Sequence, residues 1–274
     1  MKNKLLVIKC GGSILNGLPK LPQIINNFKQ LIDMNYNLII VHGGGPEISL
    51  LCKKLGIETG FINGLRVTTD EVLSVTQMAL NGITNPKLVY MMNQGKVKAL
   101  GLSGHLNNLL LANPLDTEQY GHVGEIVSVN TPLLNQIISL GFIPVIAPLA
   151  IDKDGQVLNI NADLAAAAIA TATKASQLIL LSDVDGYYSD YSNKASLINQ
   201  LTMEQLDDLL LNNNCSITDG MIPKLQACQQ AVKGSVESAH IINGNKPDDL
   251  INLVLTRGKT GTTITVNPLN YGEV

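Results

Sequence analysis

The stretch Leu5-Leu6-Val7-Ile8-Lys9-Cys10-Gly11-Gly12-Ser13 decides the fold: four consecutive apolar residues, a lysine, and then two glycines. A short apolar run ending in a glycine turn reads as a strand buried on both faces, with a ligand crevice beyond its carboxyl end. The pattern recurs. Leu38 to Val41 runs into His42-Gly43-Gly44-Gly45-Pro46, and Leu178 to Leu181 runs into Ser182-Asp183-Val184-Asp185-Gly186. Ile143 to Ile146 and His240 to Ile242 have the same apolar character. Helical patterns separate most of these runs, at Pro22 to Met34, Ile48 to Leu55, Asp70 to Asn81, Pro132 to Leu140, Leu164 to Thr173, Met203 to Leu211, Ile222 to Val232 and Pro247 to Leu255. Such alternation predicts an α/β fold, a mostly parallel sheet covered by helices on both faces.

Thr202 with Gln205 predicts a capping box, and Asn161 or Asp163 can cap the alanine-rich helix that follows. Between Leu102 and Val129 the pattern changes to short alternating segments rich in Gly and Asn, read as antiparallel hairpins over one end of the sheet. No linker composition and no repeat divides the 274 residues, so residues 1–274 are read as a single domain with two functional halves.

Composition narrows the function. With 45% hydrophobic and 15% charged residues the chain can bury a sizeable core and is neither disordered nor of low complexity. Its 19 basic and 22 acidic residues give a net charge of −3, and the basic ones are scattered, which argues against nucleic-acid and anionic-membrane partners. The apolar run before Lys9, Leu5 to Ile8, is only four residues long, and no apolar run approaches the ~18 of a membrane span, so a cytoplasmic protein is expected. Cys10, Cys52, Cys215 and Cys228 show no C-x-x-C spacing and no histidine at a zinc-ligand offset. They read as small buried hydrophobes, and no metal site built from protein ligands is expected.

Chemistry concentrates at the strand ends. The two glycine clusters are candidate phosphate cradles, because glycines let backbone N–H groups approach an anion closely. Neither is a P-loop or a complete G-x-G-x-x-G. In Asn159-Ile160-Asn161-Ala162-Asp163 the alternate residues can face one pocket, the amides holding a polar substrate and the acid positioning a lysine. Ser182 to Gly186 is a third loop at the same end. Lys224, just inside a helix N-terminus, opposes the helix dipole unless an anion lies nearby. Arg66, read as a loop residue in Asn63-Gly64-Leu65-Arg66-Val67-Thr68, has a fork suited to a carboxylate.

Taken together, K-C-G-G-S at Lys9, V-H-G-G-G-P at Val41, N-G-L-R-V-T at Asn63, G-H-V-G-E-I at Gly121, N-I-N-A-D at Asn159, L-L-S-D-V-D-G at Leu180 and I-T-D-G-M-I-P-K at Ile217 resemble the amino acid kinase family. The seven motifs fall in one order, and the resemblance runs from Leu5 to about Thr265. The resemblance implies a three-layer αβα sandwich whose N-terminal half binds an acyl amino acid and whose C-terminal half binds ATP. It also implies transfer of the γ-phosphoryl group to the γ-carboxylate of N-acetyl-L-glutamate, a step of arginine biosynthesis, with Mg²⁺ carried on the nucleotide phosphates. By this similarity Lys9 and Lys224 stabilise the transferring group and Asp163 orients both. Gly44, Gly45, Arg66, Asn159 and Asn161 would hold the acceptor. Gly11, Gly12, Leu181, Ser182, Asp183, Val184, Asp185, Gly186, Ser216, Ile217 and Thr218 would line the nucleotide.

One departure stands out. Family members commonly show G-L-S-G-x-D-G, whereas Ser103-Gly104 is followed here by His105-Leu106-Asn107, which implies an altered hairpin near the acyl site. The chemistry itself needs no general base, since a carboxylate of pKa about 4 is already ionised at pH 7. It needs in-line positioning and positive charge. Two other readings remain open. A sister kinase could act on carbamate, aspartate or protein-borne aminoadipate, which differs from glutamate by a methylene worth only about 1–3 kcal/mol. Alternatively, an inactive sensor could bind an amino acid or nucleotide.

Arginine-inhibited members of the resembled family carry an extra N-terminal helix, and such a helix needs roughly 12 residues ahead of the first strand. Only Met1 to Lys4 precede Leu5. The expectation is a homodimer, insensitive to arginine, joined by the helix near Asp70 to Asn81, whose apolar run Val72, Leu73, Val75, Met78, Ala79 and Leu80 is wider than one core stripe needs.

Overall fold

The computed structural model describes residues 4–12, 15, 20–212, 220–256 and 260–268. The strands are β1 (Leu5–Cys10), β2 (Asn37–His42), β3 (Phe61–Ile62), β4 (Leu65–Arg66), β5 (Ala99–Ser103), β6 (Leu110–Pro114), β7 (Gly124–Val129), β8 (Ile143–Ala147), β9 (Leu149–Ile151), β10 (Val157–Asn159), β11 (Gln177–Ser182), β12 (Tyr187–Tyr188), β13 (Leu197–Ile198), β14 (Gln200–Thr202), β15 (Ser238–Asn243) and β16 (Thr262–Thr265). The α-helices are α1 (Leu21–Asp33), α2 (Gly45–Leu55), α3 (Asp70–Gln77), α4 (Asn85–Gln94), α5 (Thr117–Tyr120), α6 (Thr131–Ser139), α7 (Ala162–Ala172), α8 (Met203–Leu211), α9 (Ile222–Lys233) and α10 (Asp248–Thr256).

Eight strands form one sheet in the order β14-β16-β15-β11-β1-β2-β8-β5. From β5 to β15 all pairings are parallel, and β16 then runs antiparallel to β15. All five apolar runs named in the sequence are strands of this sheet. Successive residues of β1 serve opposite cores. Leu6, Ile8 and Cys10 pack with residues of α1, α4 and α10, while Val7 packs with the alanines of α7 and with Leu225 and Cys228 of α9. The two-fold alternation of a strand puts Lys9 on the Val7 side, facing α7. That places a lysine at the carboxyl end of the central strand, where the strand order changes direction.

The helices agree with expectation to within a few residues, and Thr202 with Gln205 forms the capping box. Asn161 is the N-cap of α7, its Oδ1 accepting from the N–H groups of Asp163 and Leu164. One helix is longer than expected. After α3 the chain widens into a π-helical segment, Met78–Thr84, and continues as α4. Pro86 has no N–H to bond back into the helix, and the widened turn before it lets the chain pass where Gly82 and Pro86 signal a stop. The width of the apolar run is explained within the chain itself: Val72, Leu73, Val75, Ala79 and Leu80 are all buried, and only Met78 of that run faces outward.

A second sheet, β10-β9-β6-β7, includes the expected antiparallel hairpin β6–β7. Its other pair, β9–β10, follows β8 and leads directly into Asn159 and α7.

Candidate active site

A cavity of about 680 Å³ opens beyond the carboxyl ends of β1, β2 and β11. Its wall includes Lys9, Gly11, Gly12, Gly44, Gly45, Arg66, Asn159, Asn161, Asp163, Ser182, Asp183, Val184 and Lys224, which arrive from both halves of the sequence.

At its floor two lysines share one carboxylate. Lys9 Nζ lies 2.8 Å from Asp163 Oδ1, and Lys224 Nζ lies 3.2 Å from Oδ2 and donates to the Gly220 carbonyl at 3.2 Å. Burial pushes the Asp163 carboxyl up, but the charges and hydrogen bonds of Lys9 and Lys224 overcome this and hold it below the ordinary carboxylate range. Asp163 sits in the first turn of α7 and Lys224 in the first turn of α9. One lysine therefore lies where the helix dipole disfavours a cation, and a buried carboxylate keeps it there.

The glycine loops meet at the same place. A Cβ on Gly12 would stand 3.2 Å from both Gly44 N and Gly45 N and 2.8 Å from Pro46 Cδ, and one on Gly44 would stand 2.5 Å from Leu80 Cδ2. At Gly12 and Gly44 the loops pack too closely for side chains, and Gly45 opens α2, whose first N–H groups have no intrahelical partner. An anion held here meets backbone donors on one side and lysines on the other.

Arg66 departs from the loop expected for it. Asn63 and Gly64 both have positive φ, 51° and 76°, and join β3 to β4 as a two-residue hairpin with Arg66 on its second strand. Asn-Gly flanked by apolar residues is the signal that could have revealed this. The guanidinium is buried. Nη1 donates to Thr59 Oγ1 at 2.7 Å, Nη2 donates to Ser49 Oγ at 2.8 Å and the Gly45 carbonyl at 3.1 Å, and Phe61 stacks 4.6 Å away. Three of its five N–H donors are thus engaged and two remain for a ligand. Ser49, Thr59 and Phe61 carry no local motif, and sequence reasoning missed them.

Asn159 Nδ2 donates to Thr68 Oγ1 at 3.0 Å, which ties the end of β10 to the segment that follows the hairpin. From the loop after β11, Ser182, Asp183 and Val184 reach the cavity together with Tyr191, which the sequence did not single out. Leu181, Asp185 and Gly186 do not reach it. Leu181 is in the core, and a Cβ on Gly186 would meet Thr262 Oγ1 at 2.5 Å. Asp185 accepts from Lys246 at 2.6 Å, Asn243 at 2.8 Å and the Tyr188 hydroxyl at 2.9 Å, and these partners pull its pKa down to about 2. These bonds latch the loop. Ser216, Ile217 and Thr218 lie outside the described residues.

The altered Ser103 to Asn108 segment does not line the cavity either. Ser103 Oγ pairs with His105 Nδ1 at 2.9 Å, and Asn107 and Asn108 take the left-handed conformation at φ 53° and 48°. The turn is closed without glycine there, away from the cavity wall. Cys10, Cys52 and Cys228 are free and buried, and burial pushes Cys10 up to about 12. Among the described residues no group of three His, Cys, Asp or Glu could hold a metal ion.

An open α/β sheet with an anion cradle and two carboxylate-held lysines at its switch point is the arrangement of a phosphoryl-transfer protein. The pattern of the amino acid kinase family matches residues 4–243, and the chain belongs to that family. Acetylglutamate kinase of Geobacillus sp. (strain WCH70) is 41% identical over 244 residues, covering 89% of this chain and 92% of that protein. Acetylglutamate kinase of Caldanaerobacter subterraneus subsp. tengcongensis is 41% identical over 262 residues, covering 95% and 87%. Among solved structures, smu.665 from Streptococcus mutans UA159 superposes with a TM-score of 0.84 at 30% identity, covering 97% of this chain and 100% of that one.

Proposed function

We propose that the chain transfers the γ-phosphoryl group of ATP to the γ-carboxylate of N-acetyl-L-glutamate, giving N-acetyl-L-glutamyl 5-phosphate and ADP, a step of arginine biosynthesis. The observation that carries this reading is the meeting of Lys9 and Lys224 on Asp163 in a cavity that also holds both glycine loops and Arg66. The acceptor carboxylate is ionised at neutral pH, so its oxygen attacks phosphorus directly and the bond to the ADP oxygen breaks in line. Lys9 and Lys224 offset the charge that spreads over the phosphoryl oxygens, and the N–H groups of Gly44 and Gly45 donate from the acceptor side. Arg66 holds the acceptor's α-carboxylate with its two remaining donors, assisted by Asn159, while Asn161 both caps α7 and borders the acceptor. Gly11, Gly12, Ser182, Asp183 and Val184 line the nucleotide. Mg²⁺ arrives as part of the nucleotide substrate, which suits a donor set made of lysines, amides and backbone N–H groups.

A homodimer belongs to the same reading. Met78, Ile83, Tyr90 and Leu100 are large, apolar and exposed on the helix from α3 to α4 and on the edge strand β5. Light scattering should return about twice the 29.3 kDa chain mass. A cytoplasmic location is also part of it: the described cysteines are free, and no described helix is long and apolar enough to cross a membrane.

The deciding experiment is an acceptor panel with ATP-Mg²⁺ and hydroxylamine trapping of the acyl phosphate. Hydroxamate with N-acetyl-L-glutamate is expected. Hydroxamate only with aminoadipate derivatives would move the acceptor, and calorimetric binding without turnover would replace the enzyme with a sensor.

A further inference from the structure

We propose that His42 and Asn85, two buried residues behind the cavity wall, are positioning residues that aim the Gly44 N–H at the transferring phosphoryl group. The proposal rests on the phosphoryl-transfer reading above.

His42 ends β2 and has no exposed surface. Its Nδ1 lies 3.0 Å from the Gly43 carbonyl oxygen, and its Nε2 lies 3.0 Å from Asn85 Nδ2. The Asn85 amide is oriented by two backbone carbonyls, Nδ2 donating to Val145 O at 2.9 Å and Leu102 O at 3.4 Å, so nitrogen and not oxygen faces the imidazole. A carbonyl only accepts and an amide nitrogen only donates. Both contacts are therefore satisfied by one state of the ring, the neutral tautomer with its proton on Nδ1. Burial keeps it neutral, lowering its pKa to about 4. Room for Asn85 comes from Gly101, where a Cβ would lie 2.3 Å from Asn85 Oδ1.

The consequence lies in the next peptide. In a planar trans peptide the C=O and the following N–H point in opposite directions, and no peptide among the described residues is cis. Holding the Gly43 carbonyl inward on His42 turns the Gly44 N–H outward, to the side where Gly12, Gly45 and Lys9 border the cavity. Leu80 closes the loop from beneath Gly44, so the peptide has no space in which to flip. Asn85 fixes the tautomer, the tautomer fixes the carbonyl, and the carbonyl fixes the donor.

Two isosteres separate this role from mere filling of space. In His42→Asn the side-chain nitrogen can take the place of Nδ1 and still donate to Gly43. In His42→Gln the amide reaches the Nε2 position, and the Gly43 carbonyl loses its donor. With N-acetyl-L-glutamate and ATP-Mg²⁺, His42→Asn should keep kcat within about fivefold, and His42→Gln should lose about 10²-fold, the usual cost of one oxyanion donor, with KM values nearly unchanged. Equal kcat in the two variants, or losses that simply follow Tm, would overturn the proposal. A second measurement does not need turnover. The ¹⁵N spectrum of the wild type should show His42 protonated on Nδ1 alone at pH 7, and the Gly44 amide should shift on addition of AMP-PNP with Mg²⁺ in the wild type and His42→Asn but not in His42→Gln. A proton on Nε2, or a Gly44 amide indifferent to the nucleotide, refutes the positioning role. Wild-type protein that passes both spectral tests yet makes no acyl phosphate refutes the acceptor reading and leaves the positioning role standing.

Discussion

Asp163→Asn removes the one negative charge on which the buried Lys9 and the half-buried Lys224 converge, and its effect can be worked out from the distances. At 2.8 and 3.2 Å and an effective dielectric of about 20, the gross attractions are about 6 and 5 kcal/mol. Taking three ions out of water offsets most of that, so the net value of the cluster is far smaller. Deleting one member is costly all the same, because it leaves the other charges buried and unmatched, typically by about 3–5 kcal/mol. At roughly 2–4 °C per kcal/mol for a chain of this size, Tm should fall by about 6–20 °C. The two lysines, no longer held in place by a shared carboxylate, should also lose their aim at the phosphoryl group, lowering kcat by about 10²-fold or more.

Acid should narrow the stability gap. The folded-state carboxyl lies below its ordinary value, so its contribution is fully present above the unfolded pKa of about 3.9 and is lost as pH falls through the lower folded value. A further signature follows from the unmatched cations: inorganic phosphate should raise the Tm of Asp163→Asn more than that of the wild type. Differential scanning fluorimetry from pH 3 to 8 with and without phosphate, alongside an ADP-release assay, measures all of this. A variant with kcat within twofold of wild type and Tm within about 2 °C would refute the reasoning.

Lys9→Ala and Lys224→Ala should depress kcat by about 10²-fold or more with little change in acceptor KM, whereas Arg66→Ala should mainly raise that KM; steady-state kinetics with N-acetyl-L-glutamate separate the two classes. Gly44→Ala places a methyl 2.5 Å from Leu80 Cδ2 and should cost about 1–3 kcal/mol by overpacking. Combined with Leu80→Ala it should cost less than the sum of the single changes, read from urea unfolding midpoints. His42 and His240 are buried, and burial lowers their pKa values to about 4 and 3. An unfolded histidine binds a proton below about pH 6.5 that these two folded ones refuse, so stability should fall as pH drops from about 6.5 towards 4, with an uptake approaching two protons on unfolding. A Tm flat across that range would contradict the burial of both rings.

The strands were legible because burial on both faces demands uninterrupted apolar runs, and Leu5 to Ile8, Leu38 to Val41 and Leu178 to Leu181 satisfy that demand locally. The capping residues Asn161 and Thr202 were legible for the same reason, since a cap bonds to N–H groups two or three residues away. Asn85–Gln94 was not expected as a helix, because Gly82 and Pro86 are local stop signals that a π turn circumvents within a packed environment. At the site, motif order along the chain pointed to Lys9, Asp163 and Lys224, and their chemistry suited an anion. What only the tertiary structure decided is which groups share which partners. Asp185 stands beside Asp183 and Val184 in sequence, yet its carboxylate is engaged by Lys246, Asn243 and Tyr188. Arg66 looks like a surface residue until Ser49, Thr59 and the Gly45 carbonyl enclose it. His42 reads as part of a glycine motif, and its tautomer is set by an asparagine 43 positions away. Caps and apolar runs act over one turn or one strand and leave a local trace. A side chain's burial and most of its hydrogen-bond partners depend on segments brought together by folding: Asn243 and Lys246 for Asp185, Gly45 and Ser49 for Arg66, Asn85 for His42.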